Sequence, residues 1–107
     1  MSPPLLGLPD SLLDCCATYN PRTARKTIFE AWRSECAYCG QPGAHTLDHV
    51  QPKSKGGLNE AKNLIPACCR CNGHKGSKDV KDWYESQSFF SLVRWQKIQE
   101  WRERPWI

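Results

Sequence analysis

Residues 36 to 78 read CAYCGQPGAHTLDHVQPKSKGGLNEAKNLIPACCRCNGHKGSK, and two features of this stretch decide the fold. The first is a pair of C-x-x-C knuckles, Cys36 with Cys39 and Cys68 with Cys71. The second is the polar material between and just beyond them: Asp48, His49, Asn63 and Asn72. Zinc favours a tetrahedron of soft ligands, and two short-spaced thiol pairs supply four thiolates that can grip one ion. The duplicated spacing makes Zn2+ the expected structural cofactor. Cys69 directly follows a ligand, and Cys15 and Cys16 have no partner at knuckle spacing, so these three are read as spare thiols.

Elements are read outward from the knuckles. Gly40 can relieve backbone crowding after the second thiolate. A short strand fits His45 to Val50, and Pro52 with Gly56-Gly57 breaks it into a loop. A second extended piece around Asn63 to Ile65 can return antiparallel to the first. Pro66 is a helix-start proline, predicting a helix through Cys68, Cys71 and Asn72 to Lys75, stopped by Gly76. The order is strand, loop, strand, helix.

Upstream, Asn20 followed by Pro21 predicts a helix from about Pro21 to Ser34, with Ile28, Phe29 and Trp32 on one face as core aromatics and aliphatics rather than a base-stacking surface. Residues 1–19 read as an arm. Downstream, Ser77 or Asp79 can cap a helix holding Val80, Trp83 and Tyr84. A last helix, about Phe89 to Arg104, ends before Pro105. Its apolar residues Leu92, Trp95, Ile98 and Trp101 recur every third position, so the stripe drifts around the helix. Core packing is the main reading of that stripe, with a partner or dimer surface as the alternative, and Trp101 and Trp106 are its candidates for exposure. The chain of 107 residues then divides into the arm (1–19), an N-terminal helix (20–35), a core (36–78) and C-terminal helices (79–107) of one domain. The expected fold class is α+β: a small metal-stapled core flanked by N- and C-terminal helices.

Composition narrows the setting. No apolar run approaches the roughly 18 residues of a membrane span. The N-terminus lacks the basic and apolar regions of a signal peptide, which predicts a reducing, intracellular location in a host or virus-infected cell, not a secreted protein. There, seven cysteines are read as metal ligands before disulfides. A net charge of +4 permits a nucleic-acid partner without demanding one. The distribution is more telling: Lys53, Lys55, Lys62, Arg70, Lys75, Lys78 and Lys81 crowd the central segment, and of these Lys53, Lys75 and Lys78 are the candidate phosphate contacts.

The polar residues suit phosphodiester hydrolysis. A hard divalent ion takes oxygen donors such as an Asp carboxylate and an Asn carbonyl, and a neutral His can accept a proton from water. One difficulty arises: Asp48 and His49 are adjacent, so in a regular strand they face opposite ways, and a bulge or a strand end is needed.

With D-H-x-x-P, S-K-G-G, N-L and C-x-x-C-N-x-x-K-G in this order, the stretch from about Cys36 to Lys78 resembles the HNH endonucleases of the ββα-metal superfamily, in the zinc-bearing branch. The resemblance implies a DNA endonuclease in which His49 is the general base and Asp48 and Asn72 hold a catalytic Mg2+ or Mn2+. It also implies that Asn63 braces the loop and orients His49 through a backbone hydrogen bond, while Cys36, Cys39, Cys68 and Cys71 hold structural zinc. Asn72 stands where the family often has His. His74, two residues on, is an alternative ligand, but on a helix it turns to a different face. His45 carries no assigned role. One catalytic centre makes one cut, so a monomer would nick DNA and a homodimer could cut both strands. A second protein could supply specificity, and homing, phage and restriction roles are all open. The competing reading is a non-catalytic zinc-ribbon module that binds DNA or another protein.

Overall fold

The computed structural model describes residues 21–103, which leaves the arm, Asn20, Cys15, Cys16, Pro105 and Trp106 outside the described residues. The described residues are α+β, a two-stranded sheet surrounded by four α-helices. Helix α1, Pro21–Ala31, begins with a proline, whose missing N–H costs nothing in the first helical turn. Ala24, Thr27 and Ile28 bury one face of it, and Trp32 follows at the same spacing. Phe29 is only half-buried, with the Arg25 guanidinium 4.9 Å above its ring. The helix stops short of the expected Ser34 because Arg33 and Ser34 both adopt positive φ, 55° and 56°. The Ser34 amide closes the end by donating to the Phe29 carbonyl at 2.8 Å.

The first knuckle follows as a tight turn in which the Gly40 amide donates to the Cys36 carbonyl at 2.9 Å. Gly40 has φ 81°, a left-handed conformation that favours glycine, and the Arg94 guanidinium lies close over it. Strand β1, Thr46–His49, then pairs antiparallel with β2, Leu64–Ala67, in the register Thr46 to Ala67 and His49 to Leu64. Pro66 does not open a helix as its position suggested. It lies within β2, where a two-stranded sheet has only edge strands and tolerates proline, and its carbonyl accepts from the Ala37 amide at 2.9 Å.

Helix α2, Cys69–Lys75, therefore starts later, capped by the Cys68 sulfur, which accepts from the Cys71 amide at 3.4 Å. Helix α3, Val80–Glu85, is capped by Asp79, whose carboxylate accepts from the Asp82 amide at 3.0 Å. Asp79→Ala should lower stability by about 1 kcal/mol in urea unfolding, the usual worth of a cap. A change under a few tenths would show that α3 is held by its packing alone.

Helix α4, Leu92–Glu103, shows the consequence of its drifting stripe: Ile98 and Trp101 are buried, while Leu92 and Val93 are exposed. Trp101 belongs to the core. Its indole N–H donates to the Ala61 and Leu64 carbonyls, and its ring meets Trp32 edge-on at 5.9 Å. A second aromatic group, Tyr38, Trp83, Tyr84 and Phe90, packs behind the first knuckle. Among the described residues, no helix is long and apolar enough to cross a membrane.

Candidate functional site

Cys36, Cys39, Cys68 and Cys71 converge so that all four sulfurs lie within 4.8 Å of one another. Zinc–sulfur bonds of about 2.3 Å give a tetrahedron with edges of about 3.8 Å. The Cys39 and Cys68 sulfurs stand 3.8 Å apart, matching one such edge, and the four together could hold a metal ion. Burial pushes the Cys36 and Cys71 thiols up, and neighbouring sulfurs push Cys71 further. Burial also acts against Cys68, but hydrogen bonds from Cys71, Cys39 and Cys36 outweigh it and bring its thiol down. A cation among these sulfurs removes the cost of ionising them together. Cys69 is exposed and stands outside the cluster, with its sulfur 3.6 Å from His45 Nε2.

The polar residues are set by β1 and α2. Asn72 and Lys75 lie three apart on α2, hence on one face, and that face runs along β1. The Asn72 amide nitrogen donates to Thr46 Oγ1 at 3.3 Å and to the Leu47 carbonyl at 3.2 Å. Neither bond uses its carbonyl oxygen. Lys75 donates to the His49 carbonyl at 3.0 Å and pairs with Asp48 Oδ2 at 3.2 Å. The Tyr38 hydroxyl, from inside the first knuckle, donates to the same Oδ2 at 2.6 Å. Burial raises the Asp48 carboxyl above the usual range, offset in part by Lys75 and Tyr38. Burial, and then the Asp48 charge, pushes the Tyr38 phenol well up, so it remains a neutral donor. Asp48 Oδ1 and the Asn72 carbonyl oxygen are hard donors of the kind a divalent ion takes.

Lys75 is not the phosphate contact that its sequence position suggested. It is fully buried and so cannot meet a DNA phosphate; its charge is committed to Asp48. Lys53 and Lys78 are exposed, Lys78 donating to the His74 carbonyl at 2.8 Å. His74 turns away from Asn72, and its Nδ1 accepts from the Trp83 indole at 2.9 Å, which leaves only Nε2 for any ligand role.

Alternation along β1 separates Asp48, which is buried, from His49, which is half-exposed. His49 is the last residue of the strand, and its Nε2 stands 2.6 Å from Asn59 Oδ1 on the loop. Asn63 is buried and braces that loop. Its Oδ1 accepts from the Gln51 amide at 2.8 Å, and its Nδ2 donates to the Gln51 and Leu58 carbonyls at 3.1 and 3.0 Å. The Asn63 carbonyl accepts from the Val50 amide at 2.9 Å, so its grip on the His49 region is one residue removed. Gly57 fits where any Cβ would strike the Gln51 backbone. Asn63→Ala removes three hydrogen bonds to the loop backbone, each worth about 0.5–1.5 kcal/mol. The Gln51 amide should then exchange its hydrogen much faster; unchanged protection would show that the loop holds without Asn63.

Sequence reasoning missed Tyr38, Asn59 and the true place of Lys75. The N-x-x-K spacing, which puts Asn72 and Lys75 on one helix face, was the available signal for Lys75. Nothing local marks Tyr38 or Asn59.

A family model described as HNH endonuclease matches residues 36–78. The CRISPR-associated endonuclease Cas9 of Corynebacterium diphtheriae is 31% identical over 77 residues, covering 68% of this chain and 7% of that protein. The SPbeta prophage-derived protein YoqL of Bacillus subtilis, which carries HNH endonuclease in its name, is 34% identical over 89 residues, covering 68% of this chain and 37% of that protein. The chain thus spans well under half the length of either relative.

Proposed function

We propose, from the premise that residues 36–78 are an HNH endonuclease domain, that this protein is a divalent-metal-dependent endonuclease that hydrolyses DNA phosphodiester bonds. The observation that carries the reading is the packing of α2 along β1, which brings Asp48 and Asn72 to one side of the strand next to His49. A binding module has no physical need for that set. The two relatives, both endonucleases by name, support the same class of reaction.

Each residue has a task in this reading. Asp48 Oδ1 and the Asn72 carbonyl oxygen would hold Mg2+ or Mn2+. When bound, the ion neutralises charge on the scissile phosphate and on the leaving oxygen. In the tautomer in which His49 Nε2–H donates to Asn59, Nδ1 has the lone pair that takes the proton from the attacking water. Asn63 keeps the loop that carries Asn59 in place. Lys53 and Lys78 would meet flanking phosphates through exposed ammonium groups. The four thiolates would hold zinc and take no part in the chemistry.

The finer assignments rest on the same reading. A monomer nicks one strand, and a homodimer or a second protein supplies a second cut or a target sequence. The four-part division of the chain, with residues 36–78 as the catalytic core, belongs to this proposal too. A phage nuclease is the biological role that the prophage-derived relative supports. The test is a supercoiled-plasmid assay on zinc-loaded protein, with Mg2+ or Mn2+ added or omitted. Nicked circles should accumulate only when the ion is present. Equal cutting without it, or none under any ion while the protein still binds DNA, would favour the non-catalytic zinc-ribbon module.

A further inference from the structure

Lys75 is buried completely, and lysine is almost never so without a partner. Its Nζ reaches Asp48 Oδ2 at 3.2 Å and the His49 carbonyl at 3.0 Å, while the Tyr38 hydroxyl reaches the same Oδ2 at 2.6 Å. Both donors to Asp48 therefore occupy one oxygen. Oδ1 takes neither contact. The Asn72 amide nitrogen is tied to Thr46 and Leu47, so Asn72 also has one oxygen left to offer.

The sum of charges sets the affinity of this centre for a cation. One carboxylate and one ammonium cancel, so the centre is neutral before any divalent ion arrives. An incoming ion meets a carboxylate that is already compensated, a neutral amide oxygen and the Lys75 charge close behind them. Hard cations bind tightly in proportion to the anionic ligands they collect. The anion lacking from this centre is a phosphate.

Resting on the nuclease reading above, we infer that Lys75 is the built-in counterion of Asp48: it limits that carboxylate to a single ligand oxygen and makes divalent-ion binding depend on a nucleic-acid phosphate. Lys75 is then a positioning residue that governs when the ion enters, and it does not touch the substrate. By linkage, the ion should tighten DNA binding by the same factor that DNA tightens ion binding. Removing the ammonium should release the carboxylate for the ion, because an uncompensated buried charge seeks a partner.

The experiment measures Mn2+ binding by electron paramagnetic resonance on zinc-loaded His49→Ala protein, which keeps both oxygen ligands and is expected not to cut. Titrations are run with and without a short DNA duplex, after subtracting the Mn2+ that the duplex binds alone. DNA should tighten binding by about tenfold or more, within the usual range of coupling between sites. Lys75→Met in the same background should tighten DNA-free binding by about tenfold and shrink the effect of DNA, whereas Lys75→Arg, which retains the charge, should behave as its parent. If Lys75→Met loses its cooperative melt, Lys75→Gln replaces it, and failing both, the parent's dependence on DNA decides. Equal Mn2+ affinity with and without DNA overturns the inference, as does a folded Lys75→Met or Lys75→Gln protein that binds Mn2+ no tighter. Plasmid cutting by the protein with His49 intact in Mg2+, seen beside uncoupled Mn2+ binding, would leave the nuclease reading standing and remove only this role of Lys75. Absence of cutting in every divalent ion would take both down.

Discussion

Removing the metal from the four-cysteine cluster with a strong chelator is expected to abolish the cooperative thermal unfolding of this protein. Structural zinc in small modules contributes on the order of 10 kcal/mol to folding, comparable with the 5–15 kcal/mol by which a whole domain is stable. The elements that the ion would join cannot stand alone. Strands β1 and β2 have four residues each, and α2 has seven, below the length at which an isolated helix holds in water. The first knuckle also carries Tyr38, which donates to Asp48 and accepts from the Tyr84 hydroxyl through its carbonyl at 2.6 Å, so losing the metal should disorder the aromatic group behind it. Circular dichroism and tryptophan fluorescence should report the loss together, and restored zinc at one ion per chain should reverse it. Cys71→Ser should act likewise. A chelated sample with an intact melting transition would mean that the sulfurs are merely packed.

Replacing His49 by Ala should lower plasmid nicking at saturating Mg2+ by about 10²–10⁴, the usual contribution of a positioned general base. Stability should hardly change. His49 is half-exposed, and its side chain makes one hydrogen bond, to Asn59, on the loop that Asn63 holds independently. The backbone carbonyl that Lys75 uses survives the substitution. Loss of activity with an unchanged melt and unchanged zinc content is therefore the expected pair of results. Wild-type activity in His49→Ala would remove this residue as the base, and a fallen melting temperature would make the loss uninformative about chemistry until a conservative His49→Gln protein was compared.

Several features were open to sequence reasoning because they are encoded over a few residues. Thiol pairs three apart, a proline at a helix start, the glycine after Cys39 and a polar residue before α3 all act locally. The strand, loop, strand, helix order of the core followed from them. Pro66 misleads because the same residue suits a helix's first turn and an edge strand, and only pairing with β1 distinguishes the two. Helix α1 is shorter than its pattern, since the turn into the first knuckle takes Arg33 and Ser34 into positive φ.

The sequence by itself determined the cysteine cluster and the sheet-and-helix order of the core, because spacing and local backbone preference suffice for both. What the tertiary structure alone decided is how the polar residues of the core are partnered. Lys75 reads as one more surface lysine until α2 lies along β1 and carries it to Asp48. Tyr38 reads as the filler of a knuckle until that knuckle closes beneath the same carboxylate. Asn59 is an unremarked loop residue until the loop folds back to His49. No periodicity links these pairs. Their partners are distant along the chain, and a buried charge acquires its role only from the neighbours that packing gives it.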